Sequence, residues 1–101
     1  MAGVEVNIRR TSSGSQTTAE HRQTVWDAIS TAAVRAKESC PYEQCAVELI
    51  NKELPRHKVL QALYTCGTND SDCDRVCQQF GDKVSSDLGT KDFEVDVNPT
   101  L

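Results

Sequence analysis

The sequence predicts a small, mainly α-helical domain: four helices, with a short β-strand at each end that could form an α+β ribbon. Three observations lead there. Apolar residues recur at helical spacing through most of residues 17–89, and strict alternation appears only near the ends. The chain has 101 residues, 38% of them apolar and 5% aromatic, which allows one domain with a modest core. A core so poor in aromatic side chains gains from a staple or a second copy.

Residues 1–16 read as a strand plus a polar linker. Val4, Val6 and Ile8 alternate with Glu5, Asn7 and Arg9, and TSSGSQTT follows. Thr17 and Glu20 have capping-box spacing, so a helix begins there. Val25, Ile29, Ala32, Ala33 and Ala36 form its narrow stripe, which lets another helix approach closely. Trp26 lies beside that stripe.

A second helix is expected from Ser39 or Cys40, with Pro41 in its first turn. Tyr42, Cys45, Ala46, Leu49 and Ile50 form its apolar face, and Pro55 ends it. A third begins at Pro55, with Val59, Leu60, Leu63 and Tyr64 on one face and Gly67 as its stop. Ser71 and Asp74 cap a fourth, which carries Cys73, Val76, Cys77, Phe80, Val84 and Leu88, though Gly81 weakens its middle. Residues 90–101 are an acidic tail strand, with Phe93, Val95 and Val97 alternating. The end strands could pair with each other, across a dimer, or with a partner's sheet. Arg9 and Arg10 oppose Asp92, Glu94 and Asp96 in sign.

The net charge of −4 is uneven. Residues 1–69 carry eight Lys/Arg and seven Asp/Glu; residues 70–101 carry three and eight. An acidic final third repels phosphate, so nucleic acid is an unfavoured partner. Arg56 and Lys58 would be the contacts of a helix-turn-helix alternative. No run approaches the length of a membrane span, and the N-terminus lacks a secretory h-region. The expected setting is intracellular and cytoplasmic, with an oxidising compartment such as the mitochondrial intermembrane space as the exception.

The five cysteines at 40, 45, 66, 73 and 77 are the most suggestive chemistry. CPYEQC at 40–45 shares three letters with the C-P-Y-C motif of glutaredoxins. Its second thiol comes two residues late, about 140° away on a helical wheel, and a helix precedes it where a strand is required. The glutaredoxin likeness is therefore set aside. Cys73 and Cys77 are i, i+4 on a helix and could share zinc with Cys40, Cys45 or His57, although zinc sites favour C-x2-C pairs. The spacing fits facing helices better. Cys40–Cys77 with Cys45–Cys73 would be two disulfide rungs, leaving Cys66 free. Cys73 and Cys77 are also similar in spacing to the paired cysteines of twin-cysteine helical proteins of the intermembrane space. His21 reads as a surface residue.

No catalytic constellation, phosphate loop or cofactor motif occurs. The expected function is a non-enzymatic protein-binding module: subunit, adaptor or inhibitor, with no cofactor. Its partner is another protein or a second copy, met through Trp26, Tyr42, Tyr64, Phe93, Val95 and Val97. The alternatives are a zinc- or thiol-dependent regulator using Cys40, Cys45, Cys73 and Cys77, and a helical DNA-binding regulator.

Overall fold

The computed structural model describes residues 2–10, 19–40, 43–54, 57–67, 71–89 and 93–100. The order is β1 (Ala2–Arg10), α1 (Ala19–Ser39), β2 (Ala46–Leu54), β3 (His57–Cys66), α2 (Ser71–Gly89) and β4 (Phe93–Thr100). The strands form one antiparallel sheet in the order β2-β3-β1-β4. Each helix therefore connects two strands that flank a third. These are two interleaved split βαβ units.

This overturns the four-helix expectation. The second and third expected helices are β2 and β3. Both segments fit two periods at once, which is the weakness of short apolar runs. Leu60, Ala62, Tyr64 and Cys66 are as good a period-two face as Val59, Leu60, Leu63 and Tyr64 are a helical one. Pairing settles the matter: β3 bonds to β2 along one edge and to β1 along the other. With those helices goes the helix-turn-helix reading; Lys58 lies in β3, and Arg56 lies outside the described residues.

One face of the sheet is covered by the helices. Val4, Val6 and Ile8 stand opposite Tyr64, Ala62 and Leu60, and all six are buried. α1 buries Val25, Ile29, Ala32 and Ala36; α2 buries Cys73, Val76, Cys77, Phe80, Val84 and Leu88. The small alanines let α1 and α2 pack side by side.

Gly81 has a positional reason. A Cβ there would overlap the Val97 side chain and lie 3.2 Å from Val4 Cγ2. The missing side chain thus lets α2 approach β1 and β4. Gly81→Leu is expected to destabilise the fold by about 1–3 kcal/mol through overpacking, read as a lower urea midpoint at unchanged slope.

The other face is open and polar. Glu5, Glu48, Glu94 and Asp96 lie on it with Arg9, Asn7 and Gln61. Asn7 Nδ2 donates to Glu5 Oε1 (2.8 Å), and Gln61 Nε2 donates to Asn7 Oδ1 (3.0 Å). The end strands pair directly with each other. Arg9 and Glu94 are cross-strand neighbours joined by a two-pronged ion pair, with Nε to Oε2 at 2.9 Å. That contact raises the Arg9 pKa and lowers that of Glu94.

Candidate metal centre

The topology brings the cysteines together. α1 ends, β2 begins, β3 ends and α2 begins at one end of the sheet, where Ala2 pairs with Cys66 and Ala46 with Thr65. Cys40 follows α1 directly, its N–H bonded back to Ala36 (2.9 Å). Cys45 precedes β2. Cys66 closes β3 on the face that also carries Tyr64. Cys73 lies in the first turn of α2, and Cys77 one turn later. All five are buried and free.

Four sulfurs converge. Cys40 Sγ is 2.7 Å from Cys45 Sγ, 2.7 Å from Cys66 Sγ and 2.8 Å from Cys73 Sγ; Cys45 and Cys66 are 2.9 Å apart. Non-bonded heavy atoms settle at roughly 3.5–4 Å, so neutral thiols would not rest this close. Disulfides, at about 2.05 Å, would draw two pairs together and separate the rest. A central ion would hold all four at similar spacing. With Zn–S near 2.3 Å, a tetrahedron has edges of about 3.8 Å, about 1 Å longer than these contacts. Cys40 touches three other sulfurs at once, and Cys40, Cys45 and Cys66 all lie within 4.8 Å of one another, which suits a shared centre better than two separate pairs.

Among the described residues, the sulfurs of Cys40, Cys45 and Cys66 all lie within 4.8 Å of one another, as three ligands of one metal ion would. Cys73, in the first turn of α2, adds a fourth donor through its contact with Cys40. Burial, with neighbouring cysteines next, pushes the Cys66 thiol well above its usual range. Burial likewise pushes Cys77 from 9.0 up to about 12, with Cys45, Cys40, Cys73 and Asp74 adding to the rise.

These shifts give the metal-free, reduced protein a definite pH response. The folded state favours the protonated Cys77 thiol, so its contribution is full below pH 9 and is lost as pH rises from 9 towards 12. A series of urea midpoints should stay level near neutrality and fall above pH 9. A midpoint that rises there would contradict the burial of these thiols.

Tyr64 stands against the cluster. It is fully buried, and its ring stacks on Phe80 with centroids 4.9 Å apart and 28° between planes. Burial pushes its phenol strongly upward, and proximity to the Cys45 sulfur adds to this. Its hydroxyl nevertheless makes no hydrogen bond of good geometry. The Cys45 sulfur is close enough to act on it as a hydrogen-bond partner, though not in good hydrogen-bonding geometry.

The expected site residues fare unevenly. Cys40, Cys45 and Cys73 are together, but the fourth sulfur in the tight set is Cys66, which the rung scheme left free. The facing helices that suggested Cys40–Cys77 and Cys45–Cys73 are absent, because Cys45 leads into a strand. Of the expected partner contacts, Tyr64 and Phe93 are buried, while Val95 and Val97 are half-buried against the core. Tyr42 lies outside the described residues. Trp26 is 49% exposed and Val34 60%. His57 opens β3. Cys66 could have been found from sequence by reading Leu60–Cys66 with period two.

No family profile matches the chain, and no curated protein matches it. Solved structures do. The de novo designed protein Foldit4 aligns with a TM-score of 0.61 at 15% identity, over 99% of this chain and 96% of that one. The designed ferredoxin-fold protein LFR1 1 aligns at 0.62 and 12% identity, over 100% and 87%. A hydantoinase/carbamoylase family amidase from Burkholderia ambifaria aligns at 0.53 and 9% identity; the chain spans 99% of itself but 27% of that enzyme. At these identities the likeness is one of fold alone: the chain is similar to ferredoxin-fold proteins in architecture.

Proposed function

We propose that the protein is a non-catalytic binding module built around a single-ion tetrathiolate centre of the zinc class, with Cys40, Cys45, Cys66 and Cys73 as ligands. The observation that carries this is the gathering of three buried sulfurs around Cys40, with Cys40, Cys45 and Cys66 all within 4.8 Å of one another. All-sulfur tetrahedral sets suit zinc or iron–sulfur chemistry, and sulfurs packed this closely leave room for one ion rather than a polynuclear cluster. A sphere filled by four protein ligands leaves no position for substrate, which is the arrangement of structural zinc. The ion would tie α1, β2, β3 and α2 together.

Cobalt substitution tests the ligand set. Titration of reduced protein should reach an endpoint of one ion per chain, with the absorption of tetrahedral thiolate coordination. Cys66→Ser should lose that spectrum and Cys77→Ser should keep it. The reverse result would replace Cys66 by Cys77. An unchanged colourless protein would end the metal reading.

A second reading, protein binding, is favoured by exposed Trp26 and Val34 on α1. Trp is enriched at interface hot spots. Trp26→Ala should change stability by no more than about 0.5 kcal/mol, as at other surface positions. A larger loss in thermal unfolding would mean that Trp26 is a packing residue. Nucleic acid remains a poor partner on the same grounds as charge. The open sheet face carries Glu5, Glu48, Glu94 and Asp96, and it has no aromatic side chain among the described residues on which a base could stack.

A further inference from the structure

We propose that Tyr64 is the positioning residue of the thiolate centre: its hydroxyl donates to the metal-bound sulfur of Cys45 and thereby sets that ligand's orientation and donor strength. This rests on the tetrathiolate reading.

The argument begins with an anomaly of burial. Tyr64 is 0% exposed, and its hydroxyl is a buried polar group without a hydrogen-bond partner. Buried polar groups are nearly always paired, so each exception calls for a cause. Packing alone does not supply one. The ring fills the space between Val4 and Val47 on the neighbouring strands and stacks on Phe80. A phenylalanine would do the same without an orphaned hydroxyl.

Tyr64 pairs with Val47, and Cys45 lies two residues before Val47 on the same chain, which brings the Cys45 sulfur within reach of the hydroxyl. A thiol or disulfide sulfur is a weak acceptor. A metal-bound thiolate carries charge, and hydrogen bonds to charged acceptors are shorter and stronger. A charged, metal-bound sulfur is thus the stronger partner for this hydroxyl, and a neutral thiol the weaker one.

Charge balance points the same way. A divalent ion with four thiolates holds surplus negative charge in a buried place, and Asp74 adds to it. Such a centre needs donors aimed at its sulfurs. Tyr64 is held by β3 and by its stacking on Phe80, so little freedom is lost when its hydroxyl turns to sulfur.

Tyr64→Phe removes only the hydroxyl. Zinc affinity, measured by competition with a chromophoric chelator, is expected to fall by about 10- to 100-fold, as when outer donors to metal ligands are removed. In the cobalt-loaded protein, the thiolate-to-metal charge-transfer band should move to longer wavelength, because an unbonded thiolate gives up charge more readily. Val84→Ala, a core change on α2 away from the cysteines, should lower stability and leave both readouts unmoved. Wild-type protein that binds zinc, beside a Tyr64→Phe variant of equal affinity and unshifted band, overturns this inference alone. Wild-type protein that binds neither ion overturns it together with the metal centre.

Discussion

Cys40→Ser is expected to abolish tight zinc binding and to leave the protein insensitive to chelators. Cys40 is the hub of the cluster, within 2.8 Å of three other sulfurs. Serine offers a neutral oxygen in place of a thiolate, and zinc in a structural site selects sulfur and imidazole. A ligand that binds only the folded state stabilises it by about 4 kcal/mol when present at 1,000 times its dissociation constant. The variant forgoes that contribution. A buried hydroxyl without its partner adds about 1–3 kcal/mol. Thermal unfolding with and without chelator separates these effects. Wild type should lose most of its advantage on chelation, whereas the variant should unfold at the same temperature in both conditions. A wild type indifferent to chelator would refute the linkage between metal and fold.

The second large effect is expected at the aromatic pair. Phe80→Ala should cost about 3–5 kcal/mol, the range for removing a buried aromatic ring. Phe80 is fully buried on α2, one residue before the close approach of Gly81 to the sheet. That tight contact prevents α2 from sinking inward to fill the space. The ring of Tyr64 loses its stacking neighbour as well. In denaturant unfolding the midpoint should fall with little change of slope. A cost below about 1 kcal/mol would mean that the helix collapses onto the sheet and that the packing here is looser than described.

The ends of the chain were easier to read than its middle, for a physical reason. Val4, Val6 and Ile8 alternate with polar residues because one face of β1 meets the core and the other meets water. β3 sits between two neighbours and has Leu63 on the open face beside the core residues Ala62 and Tyr64, so its pattern is blurred. Nothing local in LQALYTC distinguishes a strand from a helix; the pairing of β3 with both β1 and β2 is a tertiary fact. Once Cys66 was placed on a helix, its relation to Cys40 and Cys45 was hidden.

The site was legible in composition but not in grouping. Five cysteines in a small chain signalled a centre or a staple. Their spacing, C-x4-C and C-x3-C, matches no zinc motif, because the clustered cysteines do not come from two compact turns. They come from four element ends that the split βαβ topology gathers at one end of the sheet. Tyr64, expected as a surface contact, is placed in the core by the same register that places Cys66.

Zinc K-edge X-ray absorption on the reduced, metal-loaded wild-type protein tests the central claim most directly. The tetrathiolate centre predicts four sulfur neighbours at about 2.3 Å and no nitrogen or oxygen neighbour. A shell containing nitrogen or oxygen, or a protein that carries no zinc and weighs four hydrogens less than its reduced mass, would contradict it.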